Sequence, residues 1–503
     1  MVSIVGLNRA SSFAIKEEST AGTYVPPSAG TDFVPLRPGN ELSYEPENLE
    51  SDELLNDIGA AKSFTGKEVV KGKHATYLRH SGVEGQEPEV GVLYESVMGD
   101  KAIMGTDYPT VSASTTSLIK VNTGIGANYI VGQPLLIKNP SGYEMRNVAS
   151  ISGDDLTLNF KLDNAPASGV YLGKAITYIP AASGHPTFST TKYIGGGHAK
   201  EVSAGNTITD LSLKLEANTF GEVEFSYEGT KYYFNPITIT SSNKYLDFTD
   251  DLGTYAVSVA TGVYKTPVAM ADALMVAMEA VNAQTYSVVY SSVTGKFTIT
   301  SNSTLLSLLV FTGTNAANGI AATLGFTVAA NKTGAGGTTG YTSENAQTYA
   351  AAYTPSYDSA DAIVVKDAEL FIGSLNDNVC ICAQSVALKI TKKVEDVDCI
   401  CEETGVLEKI PTARTVELTV TAILKKYDVS LLDALLKNSD LSAMMNAGPK
   451  TGGNFIAGKC FNLYLPKCTV SNYKTTGDSF VQADITLKGF VTSTQKDIFL
   501  GFV

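Results

Sequence analysis

The 503-residue chain is too long for one hydrophobic core, so its length predicts two or three domains. Only 17% of its residues are charged, against about 25% in an average globular protein, and its formal net charge of −14 argues against tight nucleic-acid binding. No apolar run approaches the roughly 20 residues of a membrane span, and the N-terminus lacks a secretion-signal pattern. We therefore expect a protein that is made in a cytoplasm and stays soluble there.

Residues 1 to about 50 form the first distinct segment. The stretch 21–40 contains four prolines and three glycines without a hydrophobic period, so it cannot be a helix. This composition predicts an extended arm that is either disordered or laid along a neighbouring chain.

Three segments carry apolar residues at helical spacing, and their ends carry the matching signals. Gly99 should end the first helix, Thr266 and Ser430 should cap the N-termini of the second and third, and Gly448 should close the third. The predicted helices span 89–98, 267–282 and 431–445.

Most other segments favour β-strands, because apolar and polar residues alternate in short runs between Gly, Asn and Pro turns. The clearest alternation is in 207–216 and 222–228. The predicted strands are 117–121, 134–138, 146–151, 156–160, 207–216, 222–228, 255–259, 286–290, 296–300, 363–372, 383–393, 414–424, 461–472 and 479–490.

The sequence predicts a mainly β fold, a β-sandwich or barrel core that carries one packed helix and the extended N-terminal arm. Two segments of different texture interrupt this strand-rich frame, a small β domain at 107–185 and an α+β domain at 235–350. The remaining segments, 1–106, 186–234 and 351–503, would then form one discontinuous core.

No catalytic constellation has the required spacing. The four histidines are scattered, so we interpret them as surface or loop residues rather than zinc ligands: His74, His80, His185 and His198. The glycine run at 193–198 has no helix after it to bind phosphate, so it predicts a turn. We expect no enzyme activity, no metal and no cofactor.

The six cysteines lie in the last quarter of the chain, and four of them form two Cys-Ile-Cys pairs. Residues i and i+2 of a strand point to one face, so pairing of the two segments could bring together Cys380, Cys382, Cys399 and Cys401. Such a thiol cluster could hold zinc or form disulfides. The spacing is not that of a usual zinc knuckle, and cysteine is also an ordinary small apolar strand residue, which is the interpretation we favour.

The N-terminal hundred residues resemble the tail tube proteins of siphophages, bacteriophages with long non-contractile tails. The resemblance is carried by Lys16-Glu-Glu-Ser-Thr-Ala-Gly-Thr-Tyr, by the arm at 37–55, and by 82–99, where Pro-Glu precedes a short helix ending in Met-Gly. The segment 115–180 is similar to an insertion seen in such proteins, and 255–327 to a module that recurs in phage tail proteins.

The resemblance implies a structural subunit of the virion tail, assembled in the bacterial host cytoplasm. Family members form rings, usually hexamers, that stack into a tube through which viral DNA passes without specific binding. Sheets of neighbouring subunits join into an inner barrel, and a helix packs outside it. The implied partners are further copies of the chain and the tape measure, tail terminator and distal tail proteins, with no membrane.

An acidic lumen would repel phosphate, and Glu222 and Glu224 share one face of an alternating strand, so we take them as candidate lumen-lining residues. An ordinary solvated strand face explains them equally well. The alternative function is that of a decoration, baseplate or fibre component that binds a host glycan through 235–350. A polysaccharide-active enzyme is the third hypothesis, against which the missing motifs argue.

Overall fold

The structure is a computed structural model that describes residues 8–53, 62–333, 339–357, 360–373, 379–423, 430–476 and 481–503. The predicted mainly β fold is confirmed. The chain divides into two compact units. The large unit comprises the described residues of Ile15–Ser189, Ala204–Thr230 and Pro355–Val503, and the small unit those of Met1–Ala14, Thr190–Ser203 and Lys231–Thr354.

The large unit contains a wide antiparallel sheet, here called sheet A. Its strands alternate polar and apolar residues, so that one face is polar and the other is buried. Of the strand Ala199–Glu216, only the residues from Ala204 onward belong to the large unit and to the part of sheet A described here. In spatial order the strands are Glu41–Tyr44, Val70–Tyr77, Glu222–Gly229, Ala199–Glu216, Ala383–Asp398, Val406–Ile423, Gln482–Gly489 and the end of Phe461–Thr476.

A second antiparallel sheet, sheet B, shares one strand with sheet A. The start of Phe461–Thr476 pairs with Phe499–Phe502, whereas its end pairs with Gln482–Gly489 in sheet A. This strand therefore joins the two sheets covalently. The strands of sheet B are Val379–Cys380, Glu369–Gly373, Leu441–Ala447, Phe461–Thr476, Phe499–Phe502, Ala175–Pro180 and Gly99–Met104.

Helix α1, Gly91–Met98, packs against the apolar faces of both sheets. The ring of Tyr94 lies 5.2 Å from that of Phe225 in sheet A, and 5.4 Å and 5.5 Å from those of Tyr178 and Phe502 in sheet B. Gly99 ends the helix with φ +99°, a left-handed conformation that glycine adopts readily. The predicted helix and its stop signal are confirmed, and the buried tyrosine ties the two sheets together.

A six-stranded antiparallel sheet lies within 107–185, also in the large unit. Its first and last strands approach each other through a bridge between Thr110 and Val121, and a cluster that includes Ile137, Leu156 and Leu172 fills its interior. That this segment is an inserted domain remains a prediction. In spatial order the strands are Tyr108–Pro109, Tyr171–Leu172, Pro134–Asn139, Gly142–Ser152, Asp155–Leu158 and Leu118–Lys120.

The small unit is α+β and has its own core. Helix α2, Pro267–Glu279, begins as predicted at Thr266, whose hydroxyl accepts a hydrogen bond from Ala269 N, and it buries Leu274 against Phe248 and other core residues. Parts of Phe188–Ile194 and Ala199–Glu216 also belong to this unit. Its other strands are Lys231–Phe234, Ile237–Ile239, Tyr245–Asp250, Gly253–Ser258, Gly262–Tyr264, Tyr286–Ser291, Lys296–Ser301, Leu306–Leu308, Lys332–Thr333 and Gly340–Thr342.

The third predicted helix, 431–445, is wrong over its second half. Helix α3 spans Ser430–Lys437 and stops at Asn438, which has a left-handed φ of +48°. The following residues form the strand Leu441–Ala447 between Glu369–Gly373 and Phe461–Thr476. A strand buried on both faces lacks alternation, so its apolar run imitates a helix. Gly448 follows this strand rather than a helix.

The N-terminal arm packs on its own chain over its described part, so the expectation of disorder is wrong there, whereas contact with a neighbouring chain remains a prediction. The arm contains four short strands, which are Ser12–Glu17, Phe33–Val34, Glu41–Tyr44 and Asn48–Leu49. Glu18 anchors it, because this buried carboxylate accepts hydrogen bonds from Gly22 within the arm and from groups in two other parts of the chain. A proline-rich composition excludes a helix but does not exclude packing.

Candidate functional site: the polar face of sheet A

The polar face of sheet A is built from the outward residues of its alternating strands. In the strand Glu222–Gly229, Val223 and Phe225 are buried whereas Glu222 and Glu224 lie on the polar side. Cross-strand neighbours continue this face in registered rows. One row is Ala75, Glu224, Ser212, Lys389, Glu417, Lys488 and Thr469, and the next is Tyr77, Glu222, Lys214, Ala387, Thr419, Thr486 and Asn472.

Both candidate glutamates are ion-paired. The carboxylate of Glu222 lies 2.7 Å from Arg37 Nη2, and Glu224 lies 2.8 Å from Lys73 Nζ. The Arg37 guanidinium also lies 4.1 Å from the centre of the Tyr77 ring, a cation–π contact. The acidity that the alternation predicted is therefore locally neutralised by residues distant in sequence.

Opposite charges alternate elsewhere on this face. Glu417 lies 3.1 Å from Lys488 Nζ, and Lys71 donates to Glu45, which holds the pKa of that carboxyl below its usual value. Such exposed pairs contribute little to stability, because solvent and salt screen them. Their larger consequence is a polar surface of nearly balanced charge.

The two Cys-Ile-Cys pairs lie at opposite ends of one strand. Cys380 and Cys382 precede the 16-residue strand Ala383–Asp398, and Cys399 and Cys401 follow it. The structure therefore does not bring the four thiols of one chain together. Among the described residues, no group of three or more His, Cys, Asp or Glu side chains could hold a metal ion.

The interpretation of all four histidines as surface or loop residues is wrong for His74, and His80 lies in a loop but is not at the surface. His74 lies in the strand Val70–Tyr77 and is completely buried, and His80 is nearly so. Loss of hydration disfavours the charged imidazole and lowers the pKa of His74 to about 3 and that of His80 to about 4. Both are therefore neutral at physiological pH.

The glycine run at 193–198 is a turn, as predicted, between the strands Phe188–Ile194 and Ala199–Glu216. No described helix has the length and apolar character that crossing a bilayer requires.

Sequence reasoning missed a buried lysine on the apolar side of sheet A. Lys392 donates from Nζ to the carbonyl of Ser96 at 2.6 Å in the last turn of α1, and lies 3.2 Å from His185 Nδ1. Burial, and next the charge of Arg414, lower the pKa of Lys392 to about 7. The sequence did carry a signal for this burial: Lys392 stands two residues after Ile390, so in a strand both side chains lie on the same, apolar face.

Replacing Lys392 by methionine should change how stability depends on pH. The folded-state pKa lies below the usual 10.5, so between pH 7 and pH 10.5 the unfolded chain binds more protons and stability rises with pH. The measured quantity is the difference between two free energies of unfolding, that of the natural protein minus that of Lys392→Met. We expect this difference to rise with pH over this window, by at most about 1.4 kcal/mol per pH unit. Denaturant titrations at several pH values measure it.

The matched control is Lys393→Met, which removes a neighbouring exposed lysine paired with Glu395. Its difference from the natural protein should stay flat over the same window. A flat difference for Lys392→Met as well would contradict the buried position of that ammonium group.

Comparison with known proteins gives one family. No curated protein matches the chain. Among the solved structures that do match, "Crystal structure of Hcp protein" is 11% identical over 26% of this chain and 96% of that chain, with a TM-score of 0.17. "Structure of a type six secretion system protein" is 12% identical over 24% of this chain and 77% of that chain, with a TM-score of 0.15. At such low scores neither likeness carries an argument.

The match to a family model is more extensive. The model described as "Phage tail tube protein" matches residues 8–281, which include the N-terminal arm, α1, the six-stranded sheet and the strand with Glu222 and Glu224. Because this match covers more than half of the residues, the chain belongs to the phage tail tube protein family.

Proposed function

We propose that this tail tube protein assembles into rings, hexameric as the resemblance implies, that stack into a siphophage tail tube and conduct viral DNA to the host. The observation that carries the proposal is sheet A, which has one apolar face, one polar face and two open edges. Among the described residues, Glu41–Tyr44 pairs only with Val70–Tyr77, and Thr469–Thr476 pairs only with Gln482–Gly489.

The open edges favour ring formation. An edge strand leaves a row of backbone N–H and C=O groups that can pair with another chain. When one edge of each copy pairs with the other edge of the next, the contact is heterologous, and a rotation that closes makes a ring. Closure turns separate sheets into one barrel without edges.

The polar face is then the proposed lumen wall, with Glu222 and Glu224 as lining residues. Because both carboxylates are ion-paired, the wall would offer DNA neither a strong positive field nor an uncompensated negative one. A polyanion held by few basic contacts is retained weakly. This supports passage of DNA without specific binding.

A stack of rings is open-ended, so other proteins must define its length and close both ends. We propose that the tape measure, tail terminator and distal tail proteins are these partners, and that assembly takes place in the host cytoplasm.

Electron microscopy of the purified full chain tests the proposed function. Rings or tubes with a central lumen are the expected result, and addition of a tail terminator protein should favour single rings or short stacks. A protein that stays monomeric at high concentration, with and without that partner, would overturn it.

We also propose that 236–348 is an insertion that assembly does not need. Asn235 N donates to Lys200 O at 2.7 Å and Tyr349 N donates to Gly197 O at 3.3 Å, so both ends of the segment meet the same short turn. Insertions with adjacent ends can be removed with little effect on the frame that carries them.

Replacing 236–348 by a short Gly/Ser linker should therefore leave rings and tubes visible by electron microscopy. A linker variant that has the same unfolding temperature as the natural protein but remains monomeric would contradict this proposal. It would instead favour a role of the segment in assembly. Glycan-array binding by the natural protein that the linker variant lacks would support the adhesive alternative for it.

A further inference from the structure

Two identical tripeptides mark the two ends of the longest hairpin in the large unit. Cys380-Ile-Cys382 lies before the strand Ala383–Asp398 and Cys399-Ile-Cys401 lies after it, at the tip of the hairpin with Val406–Ile423. Sixteen residues of antiparallel strand span roughly 50 Å. One chain therefore presents a thiol pair at each of two distant ends.

These four thiols differ from the other two in their surroundings. Cys380, Cys382 and Cys401 are exposed and Cys399 is partly exposed. Burial raises the pKa of Cys460 and of Cys468 to about 12, which makes those two unreactive. Exposed free thiols on a protein surface are open to oxidation and to unwanted cross-linking, unless a specific contact with another chain covers them.

Each end also carries an isoleucine between its two cysteines, and the surroundings of the two isoleucines differ. Ile400, between the two tip cysteines, is 103% exposed, so its side chain is wholly in water. Ile381, between the other two, lines a cavity of about 250 Å³ whose apolar floor includes Leu215 and Met445 and whose rim also carries polar and charged side chains such as that of Glu369. The cavity is large enough for one aliphatic side chain.

We propose that the hairpin tip of one copy docks at the opposite end of the next copy along the tube, which places Cys399 and Cys401 against Cys380 and Cys382 of that copy. The inference rests on the proposed stacking of rings. A contact between different ends repeats without closing, as an open stack requires. Ile400 would occupy the cavity beside Ile381.

The thiol pairs add a covalent step after assembly. In the reducing cytoplasm they stay as thiols, and after release dioxygen oxidises them. Each interchain disulfide forms one S–S bond from two S–H bonds, and the two electrons and two protons pass to dioxygen to give hydrogen peroxide. The stack becomes cross-linked along its length.

Non-reducing gel electrophoresis of air-oxidised tubes, imaged by electron microscopy in the same preparation, tests this contact. The natural protein should give a ladder of dimers and larger species that a reducing agent collapses. Tubes without a ladder would overturn the inference and leave the proposed function standing, whereas a preparation without rings or tubes would overturn both.

Paired variants test which ends meet. Neither the Cys380→Ser, Cys382→Ser variant nor the Cys399→Ser, Cys401→Ser variant should cross-link alone, and coexpression of the two should give dimers and nothing larger. A double variant that still forms dimers by itself would show that like ends meet, which overturns the proposal.

The variant Ile400→Asp keeps all six cysteines and changes a side chain with no buried contact to lose. It should retain the natural unfolding temperature but lose the ladder. A full ladder from Ile400→Asp tubes would overturn the docking of this side chain in the cavity.

Discussion

Leu42→Pro should abolish ring formation while the monomer remains folded. Glu45 N and Glu47 N donate to Val69 O and Lys67 O at 2.8 Å and 2.7 Å. Inward donors alternate along an antiparallel strand, so the N–H of Leu42 points away from the neighbouring strand, toward the open edge. Proline removes that outward donor and is tolerated at sheet edges.

Size-exclusion chromatography with electron microscopy measures the loss of assembly. The control is Leu42→Ala, which also removes the leucine side chain but keeps the backbone N–H, so this variant should still form rings. Ser43→Pro removes an inward donor and should lower the unfolding temperature as well. Normal rings from Leu42→Pro would exclude Glu41–Tyr44 as a pairing edge.

Glu18→Ala should destabilise the large unit by about 3–5 kcal/mol, since buried donors lose their acceptor. The carboxylate, 8% exposed, accepts from Gly22 N, Gly205 N and Thr187 Oγ1 at 2.8 Å and from Ser189 Oγ at 2.7 Å. Hydrogen exchange at the Gly22 and Gly205 amides should accelerate, and the unfolding midpoint in denaturant should fall.

Glu17→Ala is the matched control, because this neighbouring glutamate is exposed and its removal should change stability by less than about 0.5 kcal/mol. The loss of stability in Glu18→Gln should be close to that in Glu18→Ala. The glutamine amide keeps one acceptor oxygen but places its N–H₂ group, a donor, opposite two of the donors that Glu18 accepts from. Unchanged exchange at Gly205 in Glu18→Ala would contradict the anchoring role.

Local signals made parts of the fold predictable. Thr266 followed by Pro267 sets the start of α2, and Gly99 sets the end of α1, because capping depends on residues within one turn. Strict alternation in Glu222–Gly229 gave both the strand and the face on which Glu222 lies. Such features need no knowledge of distant neighbours.

The remainder depends on contacts between residues far apart in sequence. The Lys-Glu-Glu segment supported the resemblance, yet the role of Glu18 needs donors as distant as Gly205. The neutralisation of Glu222 by Arg37 is equally distant. The strand Leu441–Ala447 is buried on both faces, so no period distinguished it from a helix.

The long hairpin has a mechanical consequence. Ala383–Asp398 holds its partner strand through fifteen registered residue pairs, and its two ends carry the thiol pairs. Tension applied between those ends passes along the covalent backbone of this one strand, which is already extended. The strand therefore lengthens little under load, and its ladder with the partner strand holds it in the extended conformation. In the proposed stack, such a hairpin would limit how far the tube can stretch.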